Sequence, residues 1–159
     1  MKILHGLLAL LITFAAFGGE LPDPDLTPGL ANPEVTTENL DETICVPGYT
    51  KTIRPPVSYT NKLKRKQIVE YGYEDTDLKA YEEDHCIPLT LGGHPKDPHN
   101  LWPEPYAREW GARKKDRLEL RLNRLVCRGE VPLEQAQHEI CSPGGNWIEA
   151  YKKYVEPAQ

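Results

Sequence analysis

Residues 81–104, YEEDHCIPLTLGGHPKDPHNLWPE, decide how the chain is read, because they set an acid, a histidine and an asparagine at the ends of a predicted hairpin. Within 86–91, Ile87, Leu89 and Leu91 alternate with the two-residue period of a strand that buries one face. Pro88 makes this an edge strand. Gly92 and Gly93 supply the positive φ a turn needs, and the polar, proline-rich run 94–99 is a loop. Asn100, Leu101 and Trp102 form the return strand, which Pro103 and Pro105 end. From Tyr106 to Arg128 there is no proline and Gly111 is the sole glycine, so the composition predicts one long helix. The unit is strand, loop, strand, helix.

Outward from this unit the chain is mostly helical. Leu118, Leu122 and Leu125 recur at the spacing of one helix face and are core candidates, with Trp110 on a neighbouring line. Thr60 or Asn61 caps a helix over 62–71 whose apolar side carries Leu63, Ile68 and Tyr71 and whose opposite side is basic. Gly129 stops the long helix, residues 131–140 form another with Pro132 in its first turn, and Asn146 caps a last one over 147–155.

The first 19 residues combine one lysine, an apolar run from Leu7 to Phe17 and small residues at Gly18 and Gly19. This is the pattern of a signal peptide, too short to span a bilayer, and it predicts a secreted or periplasmic protein. Residues 20–44 hold four prolines, seven acids and no Lys or Arg, so they are expected to be a flexible acidic leader. The formal charge of −5 is therefore misleading: the leader carries −7 and Lys2 +1, which leaves +1 for a single domain over 45–159. Cys45, Cys86, Cys127 and Cys141 in an exported chain point to two disulfides, with three pairings open; no C-x-x-C pair favours a structural zinc site.

The central stretch resembles the HNH, or ββα-metal, nucleases, and in particular small secreted members. Asp84-His85-x-x-Pro88-Leu89-x-Leu91-Gly92-Gly93, Asn100-Leu101-Trp102-Pro103-Glu104 and Lys115-Asp116-x-x-Glu119 carry the likeness. It implies an α+β fold in which a ββα-metal finger, a short hairpin plus a long helix, is embedded in a mostly helical, disulfide-stapled domain. It further implies that His85 is the general base for water attacking a phosphodiester, a task that suits imidazole because its pKa lies near working pH. Asp84 would be a ligand of one divalent cation, Mg²⁺, Mn²⁺, Ca²⁺ or Zn²⁺, and Asn100 would hold the loop and orient His85.

The usual pattern has one more histidine on the helix, at an offset that lands here on Glu109. A carboxylate is a good ligand for a hard cation, so Glu109 becomes the expected second metal ligand, with Asp116 and Glu119 as competitors. Arg108, Arg113, Lys114, Lys115 and Arg117 on the long helix would contact nucleic acid, as the family helix does in the minor groove. Related secreted sequences carry Cys45 and Cys127 without the other two cysteines, which favours the pairs Cys45–Cys127 and Cys86–Cys141. The expectation is a secreted, metal-dependent endonuclease cutting DNA, with RNA a further substrate, with little sequence preference and leaving 5′-phosphate ends. The alternatives are an HNH fold that binds nucleic acid without cutting it, and a cell-envelope interaction protein that acts through its leader.

Overall fold

A computed structural model describes residues 20–141 and 145–156; the expected signal peptide lies outside them. Among the described residues the fold combines five α-helices with one antiparallel hairpin. In chain order these are α1 (Tyr49–Ile53), α2 (Val57–Glu70), β1 (Tyr81–His85), β2 (Leu101–Pro105), α3 (Ala112–Cys127), α4 (Leu133–Ile140) and α5 (Trp147–Tyr154). The hairpin packs on α2, and α3 packs on α5. Leu118 and Leu122 of α3, Ala136 and Ile140 of α4, and Trp147 and Tyr151 of α5 form the centre of the core. No described helix is long and apolar enough to cross a membrane.

The hairpin is real but displaced from its expected position. Tyr81 pairs with Pro105 and His85 with Leu101, so the first strand lies before Cys86 rather than after it. Residues 89–91 form a 3-10 turn, in which Pro88 O accepts the N–H groups of both Leu91 and Gly93. The alternation of Ile87, Leu89 and Leu91 reflects burial inside a compact turn, not one face of a strand.

Pro103 sits inside β2 instead of ending it, and Pro105 is the strand's last residue. The flanking bonds from Cys86 N–H to Asn100 O and from Tyr106 N–H to Ala80 O set the alternation of the ladder. In that alternation residues 103 and 105 turn their nitrogens away from β1, where a proline costs no hydrogen bond.

The long helix starts at Ala112, not at Tyr106. Gly111 is extended there, and a Cβ on it would meet the carbonyl oxygens of Pro105 at 2.8 Å and Tyr106 at 2.9 Å. Residues 106–110 are consequently a turn. α2 begins earlier than expected, at Val57, because Pro56 is held extended at ψ 147° and acts as its N-cap; Pro132 likewise precedes α4 rather than lying in its first turn. Asn146 does cap α5, accepting from the N–H groups of Ile148 and Glu149.

Residues 20–44 are not the loose leader their composition suggests. They run as an irregular strap with Val35 and Ile44 in the core and Thr27 only 1% exposed. Proline and acid content report the absence of helix and strand. They do not report whether backbone groups find partners elsewhere, and here those groups do. Both disulfides are formed, Cys45–Cys127 and Cys86–Cys141, and no cysteine is left for zinc.

Candidate functional site

β1 ends in Asp84-His85, and the two side chains enter different surroundings. The His85 ring is 3% exposed, with Nε2 lying 3.1 Å from Pro95 O. A carbonyl only accepts, so Nε2 carries the proton and Nδ1 keeps its lone pair. Burial lowers the pKa of the imidazole, against the pull of Asp84, which raises it; the ring is neutral near pH 7. His85 lines a cleft of about 210 Å³ together with Arg54, Thr60, Lys64, Glu82, Glu83 and Tyr106.

Asn100 is fully buried, and its amide uses its whole hydrogen-bonding capacity. Oδ1 accepts from Ile87 N–H at 2.9 Å and Leu30 N–H at 3.2 Å, while Nδ2 donates to Ile87 O and His94 O, both at 3.0 Å. Three stretches of chain, the strap, the end of the first strand and the loop after Gly93, are thus tied to one side chain. Gly93 makes room for this: a Cβ there would lie 1.7 Å from Ile87 O and 2.8 Å from Asn100 Nδ2. His94 stiffens the same loop through Nδ1, which accepts from the N–H groups of Lys96 and Asp97.

Asp84 turns toward α3 and meets Lys115. The ammonium is 1% exposed and spends its three protons on Asp84 Oδ2 at 2.6 Å, His85 O at 2.8 Å and Glu119 Oε1 at 2.7 Å. Glu104, opposite Glu82 in the ladder, is fully buried beside Asp84, and no donor among the described residues reaches either of its carboxyl oxygens. The contact is satisfied when Glu104 is protonated and donates to Asp84.

One ammonium cannot neutralise three buried carboxylates, so the charges sort themselves. Burial opposes ionisation of Asp84, yet Lys115 and the Glu104 hydrogen bond outweigh it and hold the carboxyl down to about 2. Burial drives Glu104 well above the usual glutamate range and Glu119 up to about 8, with Lys115 pulling both the other way.

Of the other expected ligands, Glu119 is brought beside Asp84 by the shared Lys115 ammonium, and Glu109 and Asp116 are not bonded to it. Glu109 lies in the exposed turn 106–110, and no hydrogen bond or ion pair links it to Asp84. Asp116 is exposed on α3, and Glu119 is engaged by Lys115. Among the described residues no three His, Cys, Asp or Glu side chains are gathered to hold a metal ion. The expected ligand pair therefore does not fit as arranged, because the cation seated on Asp84 is a lysine. Lys115 is also withdrawn from the nucleic-acid contacts assigned to it, being buried. Lys114 lies 3.9 Å over the Trp110 ring and Arg117 packs on Tyr151, while Arg108 and Arg113 remain exposed.

Sequence reasoning missed Glu83, Glu104 and the place of Arg54 in the His85 cleft. The Lys115-to-Glu119 spacing of four residues was the one available sign of an internal ion pair. No family model, curated protein or solved structure matches the chain.

Proposed function

We propose that the chain is an exported nuclease of the HNH, ββα-metal type that hydrolyses phosphodiester bonds in DNA or RNA. The observation that carries this reading is the state of His85: neutral, fixed through Nε2 on Pro95 O, and in the lining of a cleft that Arg54 shares. Such an imidazole keeps a lone pair on Nδ1 that can act as a general base. In the proposed reaction Nδ1 takes a proton from water as the water oxygen attacks phosphorus, and the bond from phosphorus to the 3′ oxygen breaks. Arg54 shares this cleft with Lys64, whose ammonium is bonded to Tyr81 O, so the phosphate is assigned to Arg54. The resemblance also implies a divalent ion; since Lys115 occupies Asp84, the steps assigned to this chain's residues are confined to His85, Asn100 and Arg54. Two disulfides fit an oxidising compartment, in keeping with export.

A plasmid-nicking assay on the oxidised protein tests this, comparing wild type with His85→Ala in EDTA and after adding Mg²⁺, Mn²⁺, Ca²⁺ or Zn²⁺. Loss of about 10²- to 10⁴-fold in rate on removing His85 is the expected result. A second reading, a fold kept for binding nucleic acid without cutting it, is favoured by the neutralised Asp84 and the detached Glu109. Retention of DNA on a gel without cutting under any metal would establish that second reading instead.

A further inference from the structure

The backbone of Leu30 grips the candidate site at two points. Its N–H donates to Asn100 Oδ1 at 3.2 Å, and its carbonyl accepts from His94 N–H at 2.7 Å. The next residue after His94 is Pro95, whose carbonyl receives Nε2–H of His85. Strap, loop and imidazole are thus three consecutive links.

The surrounding bonds repeat the pattern. Gly29 N–H donates to His99 O at 2.9 Å, Asn32 N–H donates to Gly92 O at 2.8 Å, and the Thr27 hydroxyl donates to Leu101 O at 3.2 Å. Tyr71, just past the end of α2, donates to that same Thr27 hydroxyl at 2.6 Å, and Ala31 pairs with Gly93 as an isolated antiparallel bridge. Every residue from 92 to 101 that the strap touches belongs to the loop and strand start carrying His94, Pro95 and Asn100. The Leu30 side chain is 40% exposed, so hydrophobic burial of that side chain does not explain the contact. At the site loop residues 29–32 of the strap are bound by their backbone.

We infer that residues 27–32 are a positioning element of the site: the Leu30 peptide group holds Asn100 and the His94–Pro95 backbone, and through Pro95 O it fixes the tautomer and ring plane of His85. The catalytic consequence rests on the nuclease reading; the positional one does not. A general base works from one geometry, and small displacements of it are expensive in rate. Asn100 Oδ1 has two donors, of which the strap supplies one. Without it Asn100 Oδ1 keeps only the Ile87 N–H.

The inference is tested by removing one hydrogen. An ester in place of the Gly29–Leu30 amide, introduced with the α-hydroxy analogue of leucine, deletes the donor and keeps the shape; Leu30→Pro deletes it genetically, and Leu30→Ala is the control that keeps it. The ester and proline variants are expected to lose at least about tenfold in kcat with little change in KM, while Leu30→Ala matches wild type. In the ¹⁵N spectrum the His85 ring is expected to pass from a single Nε2–H tautomer to a mixture. A folded ester variant that keeps both the single tautomer and the wild-type kcat would overturn the inference. If wild type cuts no nucleic acid, the nuclease reading fails by itself, and the ¹⁵N spectra alone decide the strap's role.

Discussion

Lys115 Nζ lies 2.6 Å from Asp84 Oδ2, and the lysine side chain is 1% exposed. A cation so completely enclosed is a fixed part of the protein, and its removal exposes what it was holding apart. Lys115→Met strands Asp84 and Glu119 without a partner, which costs about 3–5 kcal/mol for a broken buried pair. Urea denaturation at pH 7 measures the loss, and a deficit below about 1 kcal/mol would show that the pair is solvated in solution.

Glu83 carries the opposite problem, a buried carboxyl with no hydrogen-bond donor among the described residues on either oxygen. Burial pushes its pKa from the ordinary 4.5 up to about 8, with Lys64 pulling downward. The folded state then keeps a proton that the unfolded chain releases. The stability this group contributes is whole below pH 4.5 and is lost as the pH climbs to about 8. Glutamine does not titrate, so Glu83→Gln should unfold at a higher temperature than wild type at pH 8 and match it at pH 4. Calorimetric melts at the two pH values check this, and a gain of equal size at both would refute the assignment.

Gly93→Ala places a methyl group 1.7 Å from Ile87 O and 2.8 Å from Asn100 Nδ2, and neither is free to move. Either the turn opens or the domain does not fold. A purified variant with wild-type melting temperature would contradict the packing around Asn100.

The Cys45–Cys127 bond closes 82 residues of chain and Cys86–Cys141 closes 55. In chain-entropy terms each contributes about 4 kcal/mol against unfolding. Cys45→Ser with Cys127→Ser should lower the urea midpoint accordingly while preserving the circular dichroism of the native state at low urea. Unchanged stability would mean the strap already restrains this region in the unfolded chain.

What was legible in the sequence was the part governed by local rules. Asn146 caps α5 as read, Gly129 adopts φ 69° at the end of α3, and Leu118, Leu122 and Leu125 are buried together. The first strand was misplaced because Tyr81, Glu82, Glu83 and Asp84 look like exposed chain; their cover is polar, as where Lys64 Nζ donates to Tyr81 O. Lys115 read as a surface cation because Asp84, its nearest partner, is 31 residues away, and no local pattern announces that distance. The strap was illegible for a different reason. Most of its ties to the site loop run through peptide groups, which every sequence possesses alike.

The prolines of β2 do more than avoid a missing bond to β1. Residues 101, 103 and 105 face away from the ladder, where an ordinary strand would offer hydrogens and oxygens to a neighbour. Two of those nitrogens have no hydrogen, and the third residue's oxygen, Leu101 O, is already taken by Gln67 Nε2 and by the Thr27 hydroxyl. The hairpin's outer margin therefore offers no hydrogen at residues 103 and 105. A second chain arriving there meets two positions that cannot donate, and a ladder cannot be extended through them.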